Sequence, residues 1–254
     1  MTGKKKAEFD WGKVWWVLGL LAWAGVSLVV CQFVVSYAMV MTVDMAGLGR
    51  EVLTQPVWNA VFAAVTYGLC LLLVVFVPWK VLNMKTNREE LGLTGLPTWT
   101  DIGLAPVGFV VYFVVAILFM ALLSAVFPDV DWEQAQDVGF ENLFFISDKI
   151  LAFVALVVLA PVAEEIIFRG WLYGKVRSRM PAWVGILVVS ALFGLMHLGW
   201  NAEALQWNAA ANIFCMAVVL CVLREITGTI WSGIVLHMLK NGVAFYLLFI
   251  SGMS

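Results

Sequence analysis

Apolar residues along this chain fall into long runs that short polar stretches separate. A helix that crosses a membrane needs about 20 mostly apolar residues. Seven runs approach or exceed this length, at 14–40, 57–79, 102–127, 149–173, 182–200, 207–223 and 229–250. Lys240 and Asn241 interrupt the last run, and a break there would give eight segments. The pattern therefore predicts an all-α, polytopic membrane helix bundle of about seven transmembrane helices.

The composition supports a membrane protein. Of the 254 residues, 63% are hydrophobic and only 13% are charged, whereas about 25% are charged in an ordinary soluble domain. No internal repeat or long linker divides the chain, so residues 1–254 are expected to form a single integral-membrane domain surrounded by the lipid bilayer. The net charge of −2 gives no reason to expect nucleic acid as a partner.

The positions of the basic residues predict the orientation of the bundle. Lys and Arg collect in alternate connections: before the first run, between the second and third, between the fourth and fifth, and between the sixth and seventh. Short cytoplasmic loops are enriched in these residues. With seven spans, the N-terminus is expected in the cytoplasm and the C-terminus outside, with the plasma (inner) membrane as the expected location.

The fourth apolar run contains three ionisable residues, Glu164, Glu165 and Arg169. Buried charges in a membrane are costly and commonly functional. Glu165 and Arg169 are four residues apart on one helix and can form an ion pair, so a structural role accounts for both equally well. Glu164 lies about 100° round the helix from Glu165. It therefore needs either a proton or a partner on another helix.

Both histidines of the chain also fall inside apolar runs. A lone histidine in such a run is more often a hydrogen-bonded packing residue than a catalytic one. However, Glu164 and His197 each lie 16 residues from the turn at 180–181, which is roughly 24 Å along a helix. His237 lies 13 residues after Arg224, roughly 20 Å by the same rise. The three side chains are therefore expected at one depth, in a shared site.

Such a site suits hydrolysis of an amide. A carboxylate and a neutral imidazole can hold a water molecule and take its proton. His237 and Asn241, four residues apart on one helix face, could donate hydrogen bonds to the oxyanion. Alternatively, Asn241 could bond to a backbone group. A zinc ion held by Glu164, His197 and His237 is another alternative, although no His-Glu-x-x-His motif is present.

A second class of function is a proton- or ion-coupled transporter, since buried Glu and His also line ion paths. The lack of an internal repeat argues against it. Gly170 and Gly174 form a separate pattern, in which two small residues four apart allow another helix to approach closely.

Three short motifs on successive runs resemble those of the CAAX protease and bacteriocin-processing family of intramembrane proteases, which includes the type II CAAX prenyl endopeptidase. The motifs are Glu-Glu-x-x-x-Arg at 164–169, Phe-x-x-x-His at 193–197 and His-x-x-x-Asn at 237–241. The resemblance covers about 149–249, the expected catalytic core, and a segment at 88–93 is similar to one common in bacterial members. The first two runs carry no matching motif.

The resemblance implies an intramembrane endopeptidase that cleaves a peptide or membrane-protein substrate, prenylated or not. In the family, the first glutamate and the second-motif histidine are taken to activate water, and the third-motif residues to stabilise the oxyanion. Carried over, the catalytic set is Glu164, His197, His237 and Asn241, with Glu165, Arg169 and Phe193 in support. Because Asn241 and the Glu165–Arg169 pair suit hydrogen bonding better than ligation, a metal-free glutamate-type mechanism is favoured over a zinc-dependent one. Some relatives are bacteriocin self-protection factors, so a catalytically idle interaction protein is a further alternative.

Overall fold

The computed structural model describes residues 10–132, 139–140, 143–199 and 205–251. Within these residues the chain forms seven helices of at least 14 residues: α1 (Trp11–Met45), α2 (Pro56–Val81), α3 (Trp99–Val126), α4 (Ile146–Arg177), α5 (Ala182–Leu195), α6 (Trp207–Thr227) and α7 (Trp231–Phe249). Six of them are long and apolar enough to cross a membrane, and α5 is a shorter apolar helix. The predicted polytopic helix bundle is confirmed, and the protein is an integral membrane protein.

The alternative of eight segments is wrong for the described part of the chain, because α7 runs without a break through Lys240 and Asn241. Lysine is a good helix former, and it does not compete for the backbone hydrogen bonds. The Asn241 side chain donates to the backbone of a different helix instead of its own. Neither residue therefore gives the helix a reason to end.

The fifth helix is shorter than the predicted run of 182–200. It ends at Leu195, and His197 lies in the turn that follows. The His197 N–H donates to the Gly194 carbonyl, and the Gly199 N–H donates to the His197 carbonyl, so tight turns replace the helical pattern. The His197 side chain is therefore held by a turn at the end of α5.

Helix α4 is the central element of the bundle. It packs against α2 and α7, and α6 packs against α3, α5 and α7. Most side chains of α4 between residues 160 and 176 are buried. By contrast, α1 and α3 present exposed apolar side chains such as Phe33 and Leu118 on their outer faces, as expected for surfaces against lipid. The charged residues of the fourth run thus lie where protein surrounds them.

Two π-helical stretches, Val154–Leu159 and Ile166–Leu172, flank the α-helical turn that carries the glutamate pair. In a π-helix each N–H bonds to the carbonyl five residues earlier, as the Ala160 N–H does with Ala155. The next residue is Pro161, which has no N–H. The Leu156 carbonyl, five residues before it, is therefore left without a backbone donor from α4. π-Helical turns of this kind are frequent at functional sites.

The two glycines of α4 face a loop, although their spacing predicted a neighbouring helix. A Cβ atom added to Gly170 would lie 3.0 Å from the Leu91 carbonyl oxygen, and one added to Gly174 would lie 3.1 Å from that of Glu90. The Lys175 ammonium holds the same loop, 2.8 Å from Glu90 Oε2. Because these two positions of α4 carry no side chain, a groove forms there, and the loop before α3 lies in it.

Filling this groove is expected to destabilise the protein. Gly174→Val places methyl groups against the Glu90 carbonyl and should lower the free energy of unfolding by ~1–3 kcal/mol, the usual cost of overpacking. Thermal unfolding of the purified protein in detergent measures the effect. Gly68→Val is the matched control, because nothing lies within 4 Å of a Cβ atom at that position on α2. Equal stability of the two variants would contradict the proposed loop contact.

Candidate active site

The two adjacent glutamates both face His237, which α7 places against α4. Glu165 Oε1 lies 3.2 Å from His237 Nδ1, and Glu164 Oε2 lies 3.8 Å from His237 Nε2. All three residues are buried. Since a carboxylate can only accept, the Nδ1–H of His237 donates to Glu165. The other ring nitrogen is thereby directed towards Glu164.

Glu165 also forms the ion pair that its spacing predicted. Arg169 Nη1 lies 3.0 Å from Glu165 Oε1, and both side chains are completely buried. The Arg169 guanidinium carbon lies 4.2 Å from the centroid of the Phe193 ring, a cation–π contact. Glycine is needed on the facing helix, because a Cβ atom at Gly233 would lie 3.0 Å from Glu165 Oε2. One carboxylate therefore holds a cation on its own helix and a histidine on another.

Phe193 separates and positions the two histidines. Its ring centroid lies 4.7 Å from that of His197 and 6.1 Å from that of His237. His197 Nδ1 lies 2.8 Å from the Phe193 carbonyl oxygen. A carbonyl only accepts, so Nδ1 carries the hydrogen and, in the neutral ring, Nε2 keeps its lone pair. His197 is thus held as the tautomer in which Nε2 can bind a water hydrogen.

Glu164 and His197 lie in the same part of the interior, and no direct hydrogen bond joins these two described residues. Their charges are close enough to interact, and the same holds for Glu164 and Lys240. Lys240 comes one helical turn after His237 on α7. From the sequence, Lys240 was considered only as a possible break in the last apolar run.

Tyr67 is a member of the site that the sequence reasoning missed. Its hydroxyl donates to Glu164 Oε1 at 2.5 Å, across from α2. The second apolar run carries no recognised motif. Tyrosines of membrane helices are enriched at the membrane interfaces. A tyrosine in the middle of an apolar run is therefore unusual, and this was the signal that could have identified Tyr67.

Asn241 forms a hydrogen bond to a backbone carbonyl, which was the alternative predicted for it from the sequence. Its Nδ2 donates to the Leu156 carbonyl at 2.9 Å. This carbonyl is the one that Pro161 leaves without a donor in the π-helical stretch of α4. The amide donor is therefore engaged in the structure, one turn of α7 from His237.

Removing this amide is expected to loosen the contact between α7 and α4. Asn241→Leu leaves the Leu156 carbonyl without a partner, which should lower the free energy of unfolding by ~1–3 kcal/mol. Asn59→Leu is the control, because its Nδ2 also donates to a carbonyl, that of Gly139, but at an exposed position. Thermal unfolding in detergent compares the two. A smaller loss for Asn241→Leu than for Asn59→Leu would contradict the assignment.

A zinc site would need a sufficient number of ligands brought together by the described residues. Among the residues that the structure describes, no three His, Cys, Asp or Glu side chains are grouped so as to hold a metal ion. Glu164 and His237 face each other, and His197 keeps the lone pair of Nε2 free because its Nδ1 donates to a backbone carbonyl. A catalytic zinc needs three protein ligands that converge on one point.

Comparison with known proteins relates the segment that carries these residues to a family. Residues 146–243 match the family described as "Type II CAAX prenyl endopeptidase Rce1-like". This part of the chain is similar to the type II CAAX prenyl endopeptidases. All three motifs lie within the match, from the glutamate pair to Asn241, whereas Tyr67 lies outside it.

A relative from Escherichia coli, named "Uncharacterized 24.3 kDa protein", is 32% identical over 95 residues. The aligned part covers 37% of this chain and 42% of the relative, so the chain spans less than half of the relative's length. No solved structure matches the chain.

Proposed function

We propose that this protein is an intramembrane endopeptidase that hydrolyses peptide bonds of a peptide or membrane-protein substrate. The observation that carries the proposal is that Glu164 lies beside His237 and that the rings of His237 and His197 both pack on Phe193 in the interior of the protein. The family relation of residues 146–243 supports a protease. A structural ion pair would account for Glu165 and Arg169 but not for the second carboxylate beside two histidines.

In the proposed mechanism, a water molecule binds between Glu164 Oε2 and His197 Nε2. Glu164 takes a proton from the water, and the resulting hydroxide attacks the carbonyl carbon of the scissile bond. The same carboxyl group then gives the proton to the departing amine. Water is consumed, one C–N bond breaks, and the products are a carboxylic acid and an amine. His197 acts by orienting the water through its free lone pair.

His237 is the proposed donor to the oxyanion. Its Nδ1–H is held by Glu165, and Nε2 lies beside Glu164, so that a proton on Nε2 would face the reaction site. A donor that is already oriented typically contributes a few kcal/mol to stabilising the transition state. Asn241, the second donor that the family resemblance assigns, is proposed to contribute by holding α7 against α4 through Leu156.

The mechanism proposed is of the glutamate type, without a metal, because the described residues offer no three-ligand set. The proposed substrate is a peptide or a membrane protein, with or without a prenyl group. The proposed orientation has the N-terminus in the cytoplasm and the C-terminus outside, in the plasma (inner) membrane, since Lys and Arg concentrate in alternate connections.

The experiment that tests the function is cleavage by the purified protein in proteoliposomes. Prenylated peptides, unprenylated peptides and transmembrane peptides are incubated in water enriched in oxygen-18, and products are identified by mass spectrometry. Hydrolysis is expected to produce paired fragments, with one heavy oxygen in each new carboxyl terminus. Cleavage should be unchanged after metal chelation. If wild-type protein cuts nothing and instead dissipates a pH gradient across the liposomes, the transporter alternative replaces this proposal.

A further inference from the structure

Helix α2 contributes a side chain to the site although it lies outside the segment that matches the protease family. Tyr67, Cys70 and Val74 fall at helical spacing on one face of α2. Cys70 and Val74 are fully buried in the main core. Their packing fixes the rotation of α2 and directs the Tyr67 ring towards α4.

The contact of Tyr67 makes the two oxygens of Glu164 different. Oε1 accepts the phenol hydrogen at 2.5 Å, whereas Oε2 faces His237 Nε2 at 3.8 Å. A carboxylate that is held by one oxygen cannot rotate freely about its last side-chain bond. The lone pairs of Oε2 are thus kept towards the histidine side, where the proposed water molecule binds.

We infer that Tyr67 is a positioning residue of the active site, which orients Glu164 so that Oε2 serves as the general base. The inference rests on the proposed endopeptidase function. Tyr67 acts through the carboxylate and does not itself contact the reacting atoms. It also keeps Oε1 hydrogen-bonded in a region from which bulk water is excluded, so that a single oxygen is left to take the proton.

Tyr67→Phe removes the hydroxyl and keeps the ring. The expected result is a decrease in kcat of about 10- to 100-fold, the range that corresponds to a lost hydrogen bond to a charged group. KM should stay within about twofold of the wild-type value, because binding does not involve the phenol. Steady-state cleavage of a peptide by the purified variant measures both constants.

Tyr112→Phe is the matched control. Tyr112 also donates a hydrogen bond between helices, to Asn212 Oδ1, but it lies on α3 and has no contact with the glutamates. It should retain wild-type kcat. If both variants lose kcat equally, the effect is a general loss of packing and the inference is wrong. If Tyr67→Phe keeps wild-type kcat while Glu164→Gln is inactive, Tyr67 has no positioning role and the proposed function stands.

Infrared spectroscopy gives a second measurement that does not depend on turnover. The difference between wild-type and Glu164→Gln spectra isolates the carboxylate bands of Glu164. Tyr67→Phe should shift these bands, because the carboxylate loses its hydrogen bond, and Tyr112→Phe should leave them unchanged. Unshifted bands in Tyr67→Phe would overturn the inference. A wild-type protein that cleaves no peptide at all, with shifted bands, would instead overturn the proposed function.

Discussion

Glu164→Gln protein is expected to hydrolyse peptide about 10²- to 10⁴-fold more slowly than wild-type protein, the contribution of a positioned general base. Glutamine has nearly the same shape as glutamate, and its amide oxygen can still accept the Tyr67 hydrogen bond. What it lacks is the ability to take a proton from water. The loss should therefore appear in kcat, with KM almost unchanged.

Glu225→Gln is the control for this experiment. Glu225, like Glu164, accepts a hydrogen bond from a tyrosine, Tyr173 at 2.7 Å. Its other partner is Arg177 at 3.0 Å, and it lies at the exposed end of α6. It should cleave peptide at the wild-type rate. Peptide hydrolysis that survives Glu164→Gln would show that the catalytic role assigned to this residue is wrong. A wild-type protein without hydrolytic or transport activity would favour the idle interaction protein.

The largest effect on stability is expected from Arg169→Met. This change leaves the Glu165 carboxylate buried without its cation, which typically costs ~3–5 kcal/mol. Both partners are completely buried and lie within hydrogen-bond distance of each other, so water cannot replace the lost charge. The thermal unfolding midpoint and the yield of folded protein in detergent should both fall sharply.

Two further variants separate the charge from the volume. Arg177→Met breaks an exposed ion pair with Glu225 and should cost only ~0–1 kcal/mol, as surface pairs do. Glu165→Gln combined with Arg169→Met removes both charges and keeps an acceptor for His237, so it should recover much of the stability that Arg169→Met loses. A double variant as unstable as the single one would show that packing of the guanidinium on Phe193, and not its charge, stabilises this region.

The fold was largely predictable from hydropathy, because a membrane-spanning helix must be apolar over a length that the bilayer sets. Helix boundaries were less so. The helix α5 was predicted to reach residue 200 but ends at Leu195, since apolar residues after a turn look the same as apolar residues in a helix. The glycines of α4 were predicted to pack against another helix, but in the structure they pack against a loop. Small residues reveal that something approaches closely, but not what.

The site was predictable where its residues lie on known spacings. The i, i+4 separation gave the Glu165–Arg169 pair, which the structure contains. Counting residues from a turn predicts that Glu164 and His197 lie at one depth, and this stays a prediction. The contact of Tyr67 with Glu164 could not be found in this way. The rotation of one helix relative to another depends on the packing of all side chains between them.

The sequence by itself determined the class of protein and the number of apolar helices. It also predicted which residues share a polar site, because burial of charge in a membrane is costly wherever it occurs. Only the tertiary structure decided which of these residues contact one another. It placed His237 between two carboxylates, directed Asn241 to the carbonyl that Pro161 leaves open, and brought Tyr67 to Glu164. Each of these contacts joins different helices, and their relative rotation is set by packing that no local spacing encodes.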